Sequence, residues 1–285
     1  MGLFFVALAI IGWGVADFLI QRSARKMGDW ESLFFVTLFA SVVLTPFVYN
    51  SFGNLNAFDW LVLGGTSVII LIASLLDFDA LRVGKMSVIE PIYAMEVIVA
   101  IALATLVVGE LITLPQFLLV LGVILGVILV SNKKFTGMHV RLLEKGIFAA
   151  VLAAVGMGAS NFLFGYAARE MDALIITWFT SVFMTIVTLV YILVVQRSHS
   201  IGRDWRHNKW LILGVGFFDV IAWVGYASST LYLPIGLATG LTEAYIALAV
   251  LLGIFFNKEK LRFHQKIGLI LSIVAAIALA FTIEM

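Results

Sequence analysis

Long apolar runs, each ended by a short polar connection, recur from one end of the chain to the other. A helix needs about 20 apolar residues to cross the roughly 30 Å hydrocarbon layer of a bilayer. Ten segments of that order can be placed, at residues 3–21, 32–49, 59–80, 87–108, 116–131, 145–167, 174–195, 209–231, 235–256 and 264–282, the fifth being short. The pattern predicts an all-α integral membrane protein with ten transmembrane helices. The first segment carries Trp13 and Asp17 and has neither a basic leader nor a small-residue cleavage site. It is therefore expected to be the first span and not a signal peptide.

Composition agrees with that pattern. At 62% hydrophobic and 12% charged over 285 residues, the chain is too apolar for one soluble core. It contains no cysteine, which excludes disulfides and thiolate metal sites. His139, His199, His207 and His264 fall in or beside connections, where solvation is their expected state. No cofactor, resident metal or nucleic-acid partner is expected. The longest connections, near 132–144 and 196–208, leave no room for a nucleotide-hydrolysing domain. Gly84-Lys85-Met86, the nearest string to a phosphate loop, lacks both the spacing and the hydroxyl. Any solute movement must then be passive or driven by a gradient.

Basic residues divide the connections into two sets. All Lys and Arg except Arg169 lie in or beside the odd-numbered connections. Short cytoplasmic loops retain positive charge, so those connections are expected in the cytoplasm and both termini outside. Reporters fused to the termini read this orientation directly.

The sequence also repeats. Residues 17–27, beginning Asp17-Phe-Leu-Ile-Gln, align without gaps on residues 161–171, beginning Asn161-Phe-Leu-Phe-Gly. Gly12 and Gly14 fall on Gly156 and Gly158, and the end of the fourth span, Gly109-Glu110-Leu111, is similar to Lys258-Glu259-Lys260 after the ninth. Five spans is an odd number, so a second repeat must cross in the opposite sense. The expected domains are a first five-helix repeat, 1–137, and an inverted second one, 138–285. Such architectures place a binding site near the midplane and work by alternating access.

With Gly12-Trp13-Gly14, Asp77-Phe78-Asp79-Ala80-Leu81, Glu90-Pro91, Glu110 and Glu259 in view, the chain resembles the drug/metabolite transporter superfamily in its ten-span EamA-type branch. The resemblance implies a secondary transporter in the cell membrane for a small metabolite: an amino acid, drug, sugar or amine. This chain departs from it in its load of intramembrane carboxylates.

Those carboxylates carry the chemistry. Glu96, Asp219 and Glu243 fall near the middle of spans four, eight and nine, where an ionised group costs about 2.5–3.5 kcal/mol. No Lys or Arg lies mid-span to offset that cost. They are expected to be protonated and hydrogen-bonded, or ionised in a wet cavity, or to exchange a proton for a cationic solute. Asp17, Asp77 and Glu90 lie nearer the cytoplasmic face and are further substrate candidates, while Asp79 is expected to pair with Arg82.

Aromatic residues accompany the acids. Asp219, Trp223 and Tyr226 share one helix face, Trp13 and Asp17 repeat the combination, and Tyr93 lies three residues before Glu96. Aromatic faces attract ammonium groups. Asn161, the repeat partner of Asp17, and Trp178, at the head of a stripe with Ser181, Thr185 and Thr188, complete the candidate substrate-binding set. That stripe and its counterpart Thr37, Ser41 and Thr45 equally suit helix packing. Gly122-x-x-x-Gly126 and Gly236-x-x-x-Gly240 mark close helix approaches, and the protein is expected to be a monomer or homodimer.

The expected function is alternating-access transport of a cationic or zwitterionic solute, with protons as the coupling ion. The alternatives are a divalent-metal carrier, a neutral sugar or metabolite carrier and, from another class, an intramembrane enzyme built on Asp77 and Asp219.

Overall fold

The computed structural model describes residues 1–49, 55–84, 89, 92–131, 146–195, 198–256 and 262–282. Glu90, Pro91, Glu259 and the connection 132–144 lie outside them. Among the described residues every regular element is helical: α1 (Gly2–Met27), α2 (Asp29–Val48), α3 (Ala57–Val83), α4 (Met95–Leu103, continued by a π-helical turn, Ala104–Val108), α5 (Leu114–Ser131), α6 (Ile147–Glu170), α7 (Ala173–Val194), α8 (Ser198–Ser229), α9 (Ile235–Thr242), α10 (Ala244–Phe256) and α11 (Phe263–Phe281). Six helices, α1, α2, α3, α6, α7 and α8, are long and apolar enough to cross a bilayer. Shorter apolar stretches, Met95–Val108, Leu114–Gly126, Ile235–Ala249 and Phe263–Leu279, fall where the fourth, fifth, ninth and tenth spans are expected.

Local chemistry sets the helix ends. Gly28 adopts φ 101°, a region that side chains resist, and so turns α1 into α2. Asn56 begins α3 with a reciprocal capping box: its side chain accepts from Asp59 N while Asp59 accepts from Asn56 N. Asp172 caps α7 through Leu174 N at 2.6 Å.

The helices pack in a pattern that survives exchange of the two halves of the chain. α1 lies on α8 as α6 lies on α3, α1 contacts α10 as α6 contacts α4, and α2 meets α8 as α7 meets α3. The pairs α2 with α7 and α5 with α11 map onto themselves. The glycines aligned in the sequence occupy matching positions. A Cβ on Gly12 would meet Ala222 N of α8 at 2.8 Å, and one on Gly156 would meet Ala73 Cβ of α3 at 2.9 Å. A Cβ on Gly14 would meet Leu248 Cδ2 of α10 at 2.7 Å, and one on Gly158 the Glu96 carbonyl of α4 at 2.6 Å. Small residues thus let backbones approach closely where an apolar solvent offers no other drive to associate. Gly126 does the same for α5, 2.5 Å from Ser272 N of α11 measured from its would-be Cβ. The Gly122–Gly126 pair therefore serves internal packing.

The hydroxyl stripes of α2 and α7 face each other. Thr185 Oγ1 donates to Thr37 Oγ1 at 2.9 Å, Ser41 and Thr185 are 3.3 Å apart, and Trp178 Nε1 donates to Thr45 Oγ1 at 2.8 Å. Each hydroxyl of this group also bonds a carbonyl of the preceding turn, as Ser41 does to Thr37 O at 2.8 Å.

Two features depart from the expected pattern. Residues 198–207, expected as a loop, begin α8, which kinks at Asn208 (φ −125°, ψ 18°). Ser200 and Asp204 point inward one turn apart while Arg203, Arg206 and His207 face out. Ser200 Oγ donates to Glu31 Oε1 at 3.3 Å, Ile201 packs with Phe34 and Phe35, and Trp205 stacks on Phe35, so this amphipathic segment is held to the start of α2. The ninth apolar run is broken into α9 and α10 at Glu243, and the fourth has a turn at Ala94, two residues before Glu96.

Ionic contacts tie the two ends of the bundle. At one end Arg82 bridges Asp29 at 2.8 Å and Asp79 at 2.5 Å, and Arg25 donates to Gly84 O at 3.2 Å. The expected Asp79–Arg82 pair is present and gains Asp29 as a third member. At the other end Arg169 donates to Glu110 Oε1 at 2.6 Å, Thr230 O at 2.7 Å and Leu233 O at 2.7 Å. That group joins the end of α6, the second residue after the π-helical turn of α4 and the turn between α8 and α9.

Candidate functional site

A cavity lies at the centre of the bundle where α1, α2, α3, α4, α6, α7, α8 and the α9–α10 break meet. It offers about 70 Å³ to the centres of water-sized molecules, room for several waters or a small solute. Five carboxylates line it: Asp17, Asp77, Glu96, Asp219 and Glu243. Among the described residues that line it, none is basic. Glu96 and Glu243 are 7% and 2% exposed, so both are buried.

Each acid comes from a different helical segment. Glu96 follows the turn at Ala94, and Glu243 occupies the α9–α10 break, so both sit where a regular ladder of backbone bonds is interrupted. Asn161 Nδ2 donates to Glu96 Oε2 at 3.2 Å. Tyr226 Oη in turn donates to Asn161 O at 2.9 Å and lies 2.8 Å from Thr239 Oγ1 on α9. This chain links the Glu96 carboxylate across α6 and α8 to the helix that ends at Glu243. Glu96 is within electrostatic reach of Glu243, Asp77 and Asp17, and Asp219 is within reach of Asp77 and of the Trp223 indole.

Aromatic rings form the rest of the polar wall. Trp13 is the hub: its ring centre lies 5.2 Å from Trp223, 5.6 Å from Tyr245 and 5.4 Å from Tyr226. Phe164 backs Trp223 at 4.4 Å. Tyr93 lines the cavity near Asp77, with its hydroxyl 3.5 Å from the Asp77 carbonyl.

Of the residues singled out in the sequence, Trp13, Asp17, Asp77, Tyr93, Glu96, Asn161, Asp219, Trp223 and Glu243 converge on this cavity. Tyr226 and Trp178 do not line it. Tyr226 is fully buried behind Asn161, two turns beyond Asp219 on α8, and Trp178 faces Thr45 at the Arg169 end of α7. Glu90 is outside the described residues. Tyr245, Met157, Met184, Ser74 and Thr37 line the cavity without having been expected there. Ser74 shares a face with Ile70 and Asp77 at i+4 and i+7, a pattern visible in the sequence once Asp77 is known to point inward.

The model of the EamA-like transporter family matches residues 1–132 and again residues 144–281. The chain belongs to the EamA-like transporter family. It is a multi-pass membrane protein of a family that transports small solutes. An uncharacterized protein of Methanocaldococcus jannaschii is 27% identical over 127 residues, which cover 44% of this chain and 91% of that protein. A solved structure described as the crystal structure of a protein is 13% identical, covers 100% of this chain and 99% of its own, and superposes with a TM-score of 0.75. That likeness shows a shared fold.

Proposed function

We propose that this member of the family is a secondary transporter of a small organic cation, coupled to protons and working by alternating access between two inverted repeats. The observation that carries the reading is the cavity whose described lining brings together five carboxylates and several aromatic rings and includes no basic residue. A carboxylate in such a place needs a counter-charge, and an ammonium group or a proton supplies it. Aromatic faces favour the ammonium by about 0.5–2 kcal/mol per contact. Of the solutes first considered, zwitterions fit less well, because an amino-acid carboxylate would enter among five acids without a cationic partner.

The repeat reading is supported by the two family matches, by a relative about half as long, and by main helix pairs that map onto one another when the halves exchange. It implies ten crossings, a division between repeats near residue 137, cytoplasmic odd connections and an Arg169 group on the outer face. Opening that face would require Arg169 to release Glu110 and the Thr230 and Leu233 carbonyls.

The test is uptake of radiolabelled tetramethylammonium by proteoliposomes with and without an imposed pH gradient. A quaternary ammonium has no proton to lose, so pH trapping cannot mimic transport. An acidic lumen is expected to raise the initial rate about tenfold, equivalent to roughly 1.4 kcal/mol of driving force. Uptake of a neutral sugar, indifferent to pH and with no movement of the cation, would overturn the reading.

A further inference from the structure

Residues 198–210 carry one acid, three Lys or Arg, two histidines and two tryptophans. The start of α8 sorts them by face, at the end of the bundle that holds the Arg82 group. His199, Gly202, Arg203, Arg206 and His207 fall at i, i+3, i+4, i+7 and i+8 and together line an open groove. Gly202 keeps the middle of it unfilled, since nothing lies within 4 Å of a Cβ there. Asp204 is buried and accepts from Arg203 Nε at 3.0 Å, while Arg203 and Arg206 stay exposed. Like charges one turn apart repel, so an anion in the groove relieves the arginines and the histidines beside them.

The same segment lies where Trp and Tyr gather. Trp30 stacks on Tyr191 at 3.7 Å and Trp205 on Phe35 at 6.4 Å, and past the kink at Asn208 the Lys209 ammonium is 5.4 Å from the ring of Trp210. Such aromatic groups mark the boundary between lipid headgroups and hydrocarbon. Trp210 and Phe217, seven residues apart and 76% and 52% exposed, carry the surface on into the apolar run of α8. A basic groove is thus followed along one helix by an exposed apolar stripe, the order of chemistries in a phospholipid.

We infer that the start of α8 is a binding site for an anionic phospholipid. Arg203 and Arg206 hold the phosphodiester, His199 and His207 flank it, and the acyl chains lie along Trp210 and Phe217. Guanidinium forks suit phosphate oxygens, and basic clusters on an amphipathic segment beside a span attract anionic lipid. A soluble anion would use the arginines and leave the apolar stripe uncovered. A zwitterionic lipid would bring its own cation in among them. The opposite side of the segment is held to α2 through Ser200 and Ile201, so bound lipid also steadies the contact between α8 and α2.

The experiment titrates the full chain, purified in a neutral detergent, with phosphatidylglycerol, phosphatidylcholine or inorganic phosphate. Native mass spectrometry counts the bound lipids and thermal unfolding reports the midpoint. Phosphatidylglycerol is expected to bind about tenfold or more tightly than phosphatidylcholine and to raise the midpoint. Arg206→Gln is expected to weaken phosphatidylglycerol binding about tenfold, the loss of one charge-assisted contact. Arg206→Lys, the milder change for the fold, is expected to weaken it about threefold, because it keeps the charge and loses the fork. Lys26→Gln removes an exposed cation at the end of α1 and is expected to leave binding within about twofold. Equal binding of the two lipids, or binding unchanged in both Arg206 variants, would overturn the inference. Equal losses in Arg206→Gln and Lys26→Gln would do so too, by making the attraction one of diffuse charge. Displacement of phosphatidylglycerol by inorganic phosphate at equal concentration would make the groove a free-anion site and overturn the lipid assignment.

Discussion

Replacing Glu96 or Glu243 by glutamine is expected to lower cation uptake by about thirtyfold or more. Breaking one partner of a buried charge pair costs roughly 2–5 kcal/mol, and each 1.4 kcal/mol is a factor of about ten. The substitution preserves size, and a glutamine carbonyl at position 96 can still accept from Asn161 Nδ2, which lies 3.2 Å from Glu96 Oε2. The fold should therefore hold or gain stability, since a buried acid has been removed. Loss of transport together with an unchanged or higher unfolding temperature would separate a role in binding from a role in folding. Full uptake by Glu96→Gln and by Glu243→Gln would remove both residues from the mechanism.

The second large effect concerns packing. Gly158→Ala is expected to destabilise the protein by about 1–3 kcal/mol, the usual cost of forcing a methyl group into a filled site. The new Cβ would lie 2.6 Å from the Glu96 carbonyl and 2.7 Å from Val99 Cβ, against backbone that cannot rotate aside. α6 and α4 would have to separate at the level of the Glu96 carboxylate, so uptake should fall with stability. Gly64→Ala and Gly65→Ala are the controls, because nothing lies within 4 Å of a Cβ at either position. Both should be neutral or stabilising by up to about 1 kcal/mol, alanine being the better helix former. Thermal unfolding in detergent measures all three, and equal midpoints would contradict the close approach of α4 and α6.

The sequence made some of this legible for identifiable reasons. Hydropathy reports how far a segment can bury itself in an apolar medium, so the long helices α1, α2, α3, α6, α7 and α8 appear near their expected places. Charge inside an apolar run is expensive, and that cost singled out Glu96, Asp219 and Glu243 before any geometry was known. The glycines are informative because close backbone approach has a local signature: Gly12 and Gly14 lie against α8 and α10, and Gly156 and Gly158 against α3 and α4.

Other features depend on contacts that no local pattern carries. Residues 198–207 are mostly polar and their buried side chains are Ser200 and Asp204, so the hydropathy pattern gives a connection there. Tyr226 lies on the same face of α8 as Asp219, but periodicity gives direction and not depth. At i+7 it is about 10 Å farther along the axis and supports Asn161 instead of lining the cavity. Asp17 and Asp77 lie nearer the cytoplasmic ends of their spans by residue count, and the cavity extends to both. Tyr245 enters the site because the chain breaks at Glu243, a break that only the packed structure reveals.

The most direct test of the central claim, that a cation binds among the midspan carboxylates, is substrate protection against a carboxyl-selective reagent. The purified protein is treated with a hydrophobic carbodiimide, with and without tetramethylammonium, and the modified acids are mapped by mass spectrometry. Saturating cation is expected to suppress modification at Glu96 and Glu243 and to leave the outward-facing Glu170 unaffected. Equal labelling of Glu96 and Glu243 in the presence and absence of a cation that the protein transports would contradict the account.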